Sequence, residues 1–178
     1  MFKFKIKEIT FISIMTALFM VSCILFVPFV MTSTQLGLQS LAFSFQLGLF
    51  FTIALRKVRK FSTIIFGGIL SGLALLFVAP VMFFNQIFGA FLSEVLAISV
   101  FRSYKSNKAI SLAAATFGLF TVPITGLVNI LAKGRSIGYQ IGDIFTFCLI
   151  LVGVVVLGFL GSKFGHYLSN ELEKAGKL

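Results

Sequence analysis

Between Glu8 and Arg56 the chain carries no charged residue at all. That one stretch decides which solvent the protein needs. It is too long for a single membrane crossing of about 20 residues and right for two with a tight turn between them. The polar cluster Met31-Thr32-Ser33-Thr34-Gln35 supplies the turn, which predicts helices over 9–30 and 36–55. The rest of the chain agrees: of 178 residues 58% are apolar and 11% charged, and the mean hydropathy is +1.08, far above the usual values for a soluble domain. The two cysteines, Cys23 and Cys148, lie inside apolar runs and make no disulfide framework.

From Phe61 to Phe101 the sole charge is Glu94. This run divides at Val78-Ala79-Pro80, because proline disfavours continuation of a helix, and gives helices over 61–79 and 83–101. Two further apolar runs predict helices over 109–132, with Pro123 and Gly126 placed to bend it, and over 144–162. The expected fold class is therefore an all-α integral membrane protein, a single domain of six transmembrane helices over 1–178.

Net charge is +10, from 15 Lys/Arg and five Asp/Glu. In a soluble protein this would suggest nucleic acid; here the cations sit in short clusters between apolar runs and set topology instead. Clusters at Lys3-Lys7, Arg56-Lys60, Arg102-Lys108 and Lys163-Lys177 alternate with uncharged turns, so all the basic residues except Lys133 and Arg135 fall on one side. By the positive-inside rule that side is cytoplasmic, as are both termini. The outer connections are then 1–2, 3–4 and 5–6. Val21-Ser22-Cys23 loosely mimics a lipoprotein cleavage site, but the sequence stays membrane-like after Cys23, and the first helix is needed for the alternation of every later loop.

Polar residues inside these spans form stripes. On the fourth helix Gln86, Gly89, Ala90, Ser93, Glu94 and Ala97 share one face, and Glu94 falls roughly 16 Å from the outer end of the helix. An ionisable group at such depth costs about 2.5 to 3.5 kcal/mol to insert and needs a protein or water environment; it either glues helices or contacts a ligand. On the second helix Gln35, Gln39, Ala42 and Gln46 repeat the pattern, and on the fifth Gly118, Thr121, Thr125 and Asn129 lead outward to Lys133, Arg135, Tyr139, Gln140 and Asp143. Ordinary helix packing explains the glycines and threonines. Three amide-rich stripes opening the same way point to a solute site, with Gln39, Gln46, Gln86, Glu94, Asn129, Lys133, Arg135 and Tyr139 as candidate binding residues.

Enzymatic readings find little support. The only histidine, His166, follows the last expected span, so no intramembrane nucleophile has a histidine partner. There is no metal-ligand set and no phosphate-binding loop, so the chain neither holds zinc nor hydrolyses ATP alone. A secondary carrier or channel using Glu94, or a membrane scaffold subunit, stays open beside a binding subunit, although one buried acid and no paired half-repeats leave little for alternating access.

Six spans in a chain of this size resemble the substrate-binding S components of energy-coupling factor (ECF) transporters. The resemblance is carried by the opening Lys7-Glu8-Ile9-Thr10-Phe11-Ile12-Ser13-Ile14-Met15-Thr16-Ala17-Leu18, where Ser13 and Ala17 stand at an alanine-x-x-x-alanine docking face, and by Gly89-Ala90-Phe91-Leu92-Ser93-Glu94 and the tail from Gly165 to Gly176. It implies a high-affinity binder without catalysis or cofactor of its own, in a bacterial or archaeal cell membrane. It captures a vitamin-like small molecule outside and topples in the lipid bilayer. The implied partners are a transmembrane coupling subunit, docking on Ser13 and Ala17, and two cytoplasmic ATPases that hydrolyse the ATP; nucleic acid is not among them. The balance of Lys133 and Arg135 against Asp143 favours a ligand with an anionic or electron-rich group.

Overall fold

The computed structural model describes residues 4–30, 36–76, 80–134 and 136–176. Its elements are α1 (Ile6–Val30), α2 (Leu38–Val58), α3 (Thr63–Leu76), α4 (Pro80–Phe101), α5 (Asn107–Lys133), the short α6 (Ile137–Ile141) and α7 (Ile144–Lys174). The helices α1, α2, α4, α5 and α7 are each long and apolar enough to cross a membrane. The described part of α3 is shorter, about 21 Å at 1.5 Å per residue. The expected turn at 31–35 and most of the break at 78–80 lie outside the described residues. Pro80 itself opens α4, the first-turn position where a missing N–H costs nothing.

Two elements depart from the sequence expectation. The segment 137–141, expected as loop, closes a helical turn as α6. The last helix, expected to end near 162, runs on to Lys174 because its buried stripe continues through Ser162, Gly165 and Ser169 and keeps packing on α2. At its other end Asp143 accepts the N–H of Thr146 at 2.9 Å and the Thr146 hydroxyl at 2.9 Å, a side-chain cap for an otherwise orphaned donor. Those two bonds hold the Asp143 carboxyl below the usual carboxylate range.

Helix α2 is the axis of the bundle. It packs against α1, α3, α5 and α7, and further contacts run from α1 to α3, α3 to α4, α4 to α5, α5 to α6 and α5 to α7. The core forms where these meet. Phe51 of α2 sets its ring edge-on to Phe117 of α5 at 5.1 Å and to Phe19 of α1 at 6.0 Å, and it covers Gly67 of α3. Between membrane helices there is no hydrophobic drive from water, so close backbone approach and dispersion hold the pair. The α2–α7 seam is built for it. A Cβ on Gly161 would collide with the Phe45 carbonyl oxygen, and one on Gly48 with the Gly158 carbonyl oxygen.

The basic ends of the helices lie together. Lys60, after α2, donates to Glu8 of α1 at 2.7 Å. Phe61 packs on Tyr104, which follows α4, with ring centroids 5.7 Å apart. Arg56 near the end of α2 reaches Glu173 near the end of α7 at 3.0 Å. At the opposite end the Leu36 N–H donates to the Gln140 carbonyl at 3.0 Å. The alternation read from charge is thus matched by the contacts at both ends of the bundle.

Candidate functional site

The polar stripes do not all face one space. Gln86 of α4 lies over Gly68 and Gly72 of α3, and its Oε1 accepts from the Ser71 hydroxyl at 3.5 Å; Ala90 also sits on Gly68. The stripe on α4 is therefore largely its seam with α3. Glu94 ends that seam. The residue is 1% exposed, and its carboxylate accepts the backbone N–H groups of Ser62 and of Ile65, the latter at 3.3 Å. These are the donors that the start of α3 leaves without helical partners, and a negative group suits a helix N-terminus. Tyr104 stands beside it, and burial, reinforced by the Glu94 charge, pushes the Tyr104 phenol well above its ordinary value.

Gln46 belongs to a different seam. Its Oε1 accepts from the Cys23 thiol at 3.2 Å and its Nε2 donates to the Ser22 carbonyl at 3.5 Å, so it joins α2 to α1. The chain thus directs Gln46, Gln86 and Glu94 to three separate places: α1, the flank of α3 and the first turn of α3. Spacing along one helix gives the face on which a polar residue lies, and only the neighbouring helix decides what that face meets.

At the end of the bundle away from the basic clusters, other residues converge. Gly37, just before α2, lies against Val122 and Ile150, and Gly126 against Leu36; the first turn of α2 is thereby wedged between α5 and α7. Gln140, buried in α6, is bonded through its carbonyl to Leu36, so α6, between α5 and α7, folds over the start of α2. Below it the Ser40 and Thr121 hydroxyls share a hydrogen bond of 2.8 Å. Asn85 Nδ2 donates to Thr125 at 2.8 Å, while Asn85 Oδ1 is buried with no partner among the described residues. A buried acceptor left open is costly and marks a place where a polar group fits.

Of the expected binding residues, Asn129 lies near the end of α5 at this rim, half-buried. Gln39 in the first turn of α2, Lys133 at the end of α5 and Tyr139 in α6 have their backbones at the same rim, while their side chains and the whole of Arg135 lie outside the described residues. The helix 4 stripe passed over Asn85, next to Gln86; only the packing of α4 on α5 singles it out.

The docking face expected on α1 is separate from this rim. The buried side of α1 is Ile12, Thr16 and Phe19, whereas Ala17 is exposed beside Ile14, Leu18 and Val21, and Ser13 is half-buried with its hydroxyl turned back to the Ile9 carbonyl at 2.9 Å. Satisfying the hydroxyl within its own helix leaves this face apolar toward any neighbour.

No family model and no curated protein matches the chain. Among solved structures, one described as an S-component of an ECF transporter superposes with a TM-score of 0.69 at 20% identity, over 98% of this chain and 88% of that one. The chain has the fold of an ECF-transporter S-component.

Proposed function

We propose that the chain is the membrane-embedded binding subunit of an ATP-driven importer of the energy-coupling factor type, taking up a vitamin-like small molecule. The observation that carries this reading is the agreement of fold over almost the whole chain. It is supported by α1, which offers an apolar face containing Ala17 on the outside of the bundle. In this reading a transmembrane coupling subunit docks on Ser13 and Ala17, and two ATPases supply the energy from ATP, so the chain itself catalyses nothing.

The solute enters at the rim away from the basic ends, between α2, α4 and α5 and under α6. Gln39, Asn85, Asn129, Lys133, Arg135, Tyr139 and Gln140 supply its polar contacts there. Amides suit this task because each both donates and accepts without the desolvation cost of a charge. Gln46, Gln86 and Glu94 act as scaffold, since each is already bonded within a helix seam. That occupation of Glu94 also weighs against a carrier that cycles a proton on it.

The test is purification of the tagged chain from its own host in mild detergent. Co-elution of ATPase and coupling subunits, with one small molecule released on denaturation and identified by mass spectrometry, is the expected result. A chain that elutes without ATPases and releases no small molecule would overturn the proposal.

A further inference from the structure

All five carboxylate side chains of the protein are engaged. Glu8 pairs with Lys60, Glu173 with Arg56 and Glu171 with Lys174, Glu94 is taken by the start of α3, and Asp143 caps α7 at the far end. The basic face nevertheless exposes Lys5, Lys7, Arg59, Arg102, Lys105 and Lys108 among its cations, and among the described residues the Arg59 side chain hydrogen-bonds only through its Nε, to the Arg56 carbonyl at 3.2 Å. No side-chain carboxylate is left over to neutralise them, so another molecule is free to supply their counter-charge.

Their position says which. Arg59 directly follows α2 and Arg102 directly follows α4, both in the left-handed backbone conformation (φ 47° and 54°), with the Arg59 N–H closing on the Leu55 carbonyl at 2.8 Å and the Arg102 N–H on the Ile98 carbonyl at 2.8 Å. Each arginine therefore stands where an apolar helix stops, at the end that positive-inside charge places toward the lipid headgroups. The two loops are one platform, joined by the Phe61–Tyr104 contact and by Glu94 holding Ser62. Beside it Val100 is 58% exposed, an apolar surface for acyl chains directly below the cations.

We propose that Arg59 and Arg102, assisted by Lys105 and Lys108, form a binding surface for the phosphate groups of acidic phospholipids. A guanidinium offers a planar fork of donors that matches phosphate oxygens, and basic clusters at the ends of membrane helices attract anionic leaflets. An acidic protein surface would satisfy the same charges, but it would not require them to lie at helix ends beside exposed aliphatic side chains.

The experiment uses the full chain in nanodiscs of mixed phosphatidylglycerol and phosphatidylcholine, with the lipids retained after extraction counted by native mass spectrometry. The native chain is expected to retain phosphatidylglycerol preferentially, and R59Q/R102Q to lose about fivefold of that preference per arginine. K5Q/K7Q removes the same charge from the start of α1, where no guanidinium fork stands, and is expected to cost less of the preference than R59Q/R102Q. R59K/R102K preserves both charges without the planar fork and is expected to keep an intermediate preference. Equal retention of the two lipids by the native chain, equal loss in K5Q/K7Q, or an R59Q/R102Q chain that loses an acidic protein partner while keeping its phosphatidylglycerol would overturn it as well.

Discussion

Glu94 of α4 binds the backbone N–H of Ser62, the residue that immediately precedes α3. An acid buried in a membrane helix is thereby spent on starting its neighbour. Replacement by leucine leaves the N–H groups of Ser62 and Ile65 without an acceptor and is expected to cost about 1 to 3 kcal/mol, read as a fall in the thermal midpoint of the detergent-solubilised protein. Glu94→Gln keeps one acceptor oxygen, is expected to lose less, and should retain at least part of ATP-driven uptake. Complete loss of uptake in Glu94→Gln at unchanged midpoint would return the residue to the transport chemistry.

Arg56 is 8% exposed and donates to the His166 carbonyl at 3.0 Å, to Asn170 and to Glu173. Its partner Glu173 is 45% exposed on the side chain and remains hydrated when the arginine is gone. Removing the arginine strips three acceptors at once, so Arg56→Ala should destabilise by about 1 to 3 kcal/mol. Glu173→Gln removes only a screened ion pair and should cost at most about 1 kcal/mol. Thermal unfolding of the two single variants checks the asymmetry; equal losses would contradict it.

Gly161→Ala is expected to destabilise by about 1 to 3 kcal/mol, because the added methyl meets the Phe45 carbonyl and the helices must part. Gly138→Ala in α6 has nothing within 4 Å of the new methyl and should be neutral. Unfolding midpoints of the two variants separate a backbone-contact seam from a merely glycine-rich helix.

The charge pattern made the spans, their alternation and the shared basic end legible, since burying a cation in lipid is costly enough to dictate where every one of them goes. Other features left no such trace. Arg56 reads in sequence as one more topological cation, yet it is buried against α7 and extends that helix beyond its apolar run. Gly158, Gly161 and Gly165 did carry a readable signal, small residues spaced for helix contact, but such spacing names no partner. Gln46, Gln86 and Glu94 share the chemistry and helical spacing of a binding stripe, and only the positions of α1 and α3 turn them into seam residues. The rim itself is assembled from segments far apart in the chain, such as Leu36 and Gln140, which no local pattern links.

Ser13→Leu combined with Ala17→Leu is expected to abolish uptake while leaving solute binding by the isolated chain intact. Two bulky side chains on an exposed helix face hold a partner helix away and forfeit its packing, yet they touch nothing at the rim. Normal ATP-dependent uptake by the double variant would remove the docking role from this face.

Alanine at Gln39, Asn85 or Asn129 should weaken solute binding by about 1 to 3 kcal/mol wherever the lost amide met a buried polar group. Calorimetric titration with the small molecule identified from the purified chain measures this. Unchanged affinity in all three variants would move the site away from the rim.

The interlocked backbones of α2 and α7 also limit how this molecule can move. Knobs of carbonyl set into glycine notches do not slide by fractions of an ångström; the pair keeps its register or slips by a whole turn. Pinned by Arg56 at one end, α7 spans roughly 46 Å from the cap at Asp143 to Lys174. A displacement of α7 near Glu173 must therefore carry α2 with it, because the two share one interlocked backbone seam.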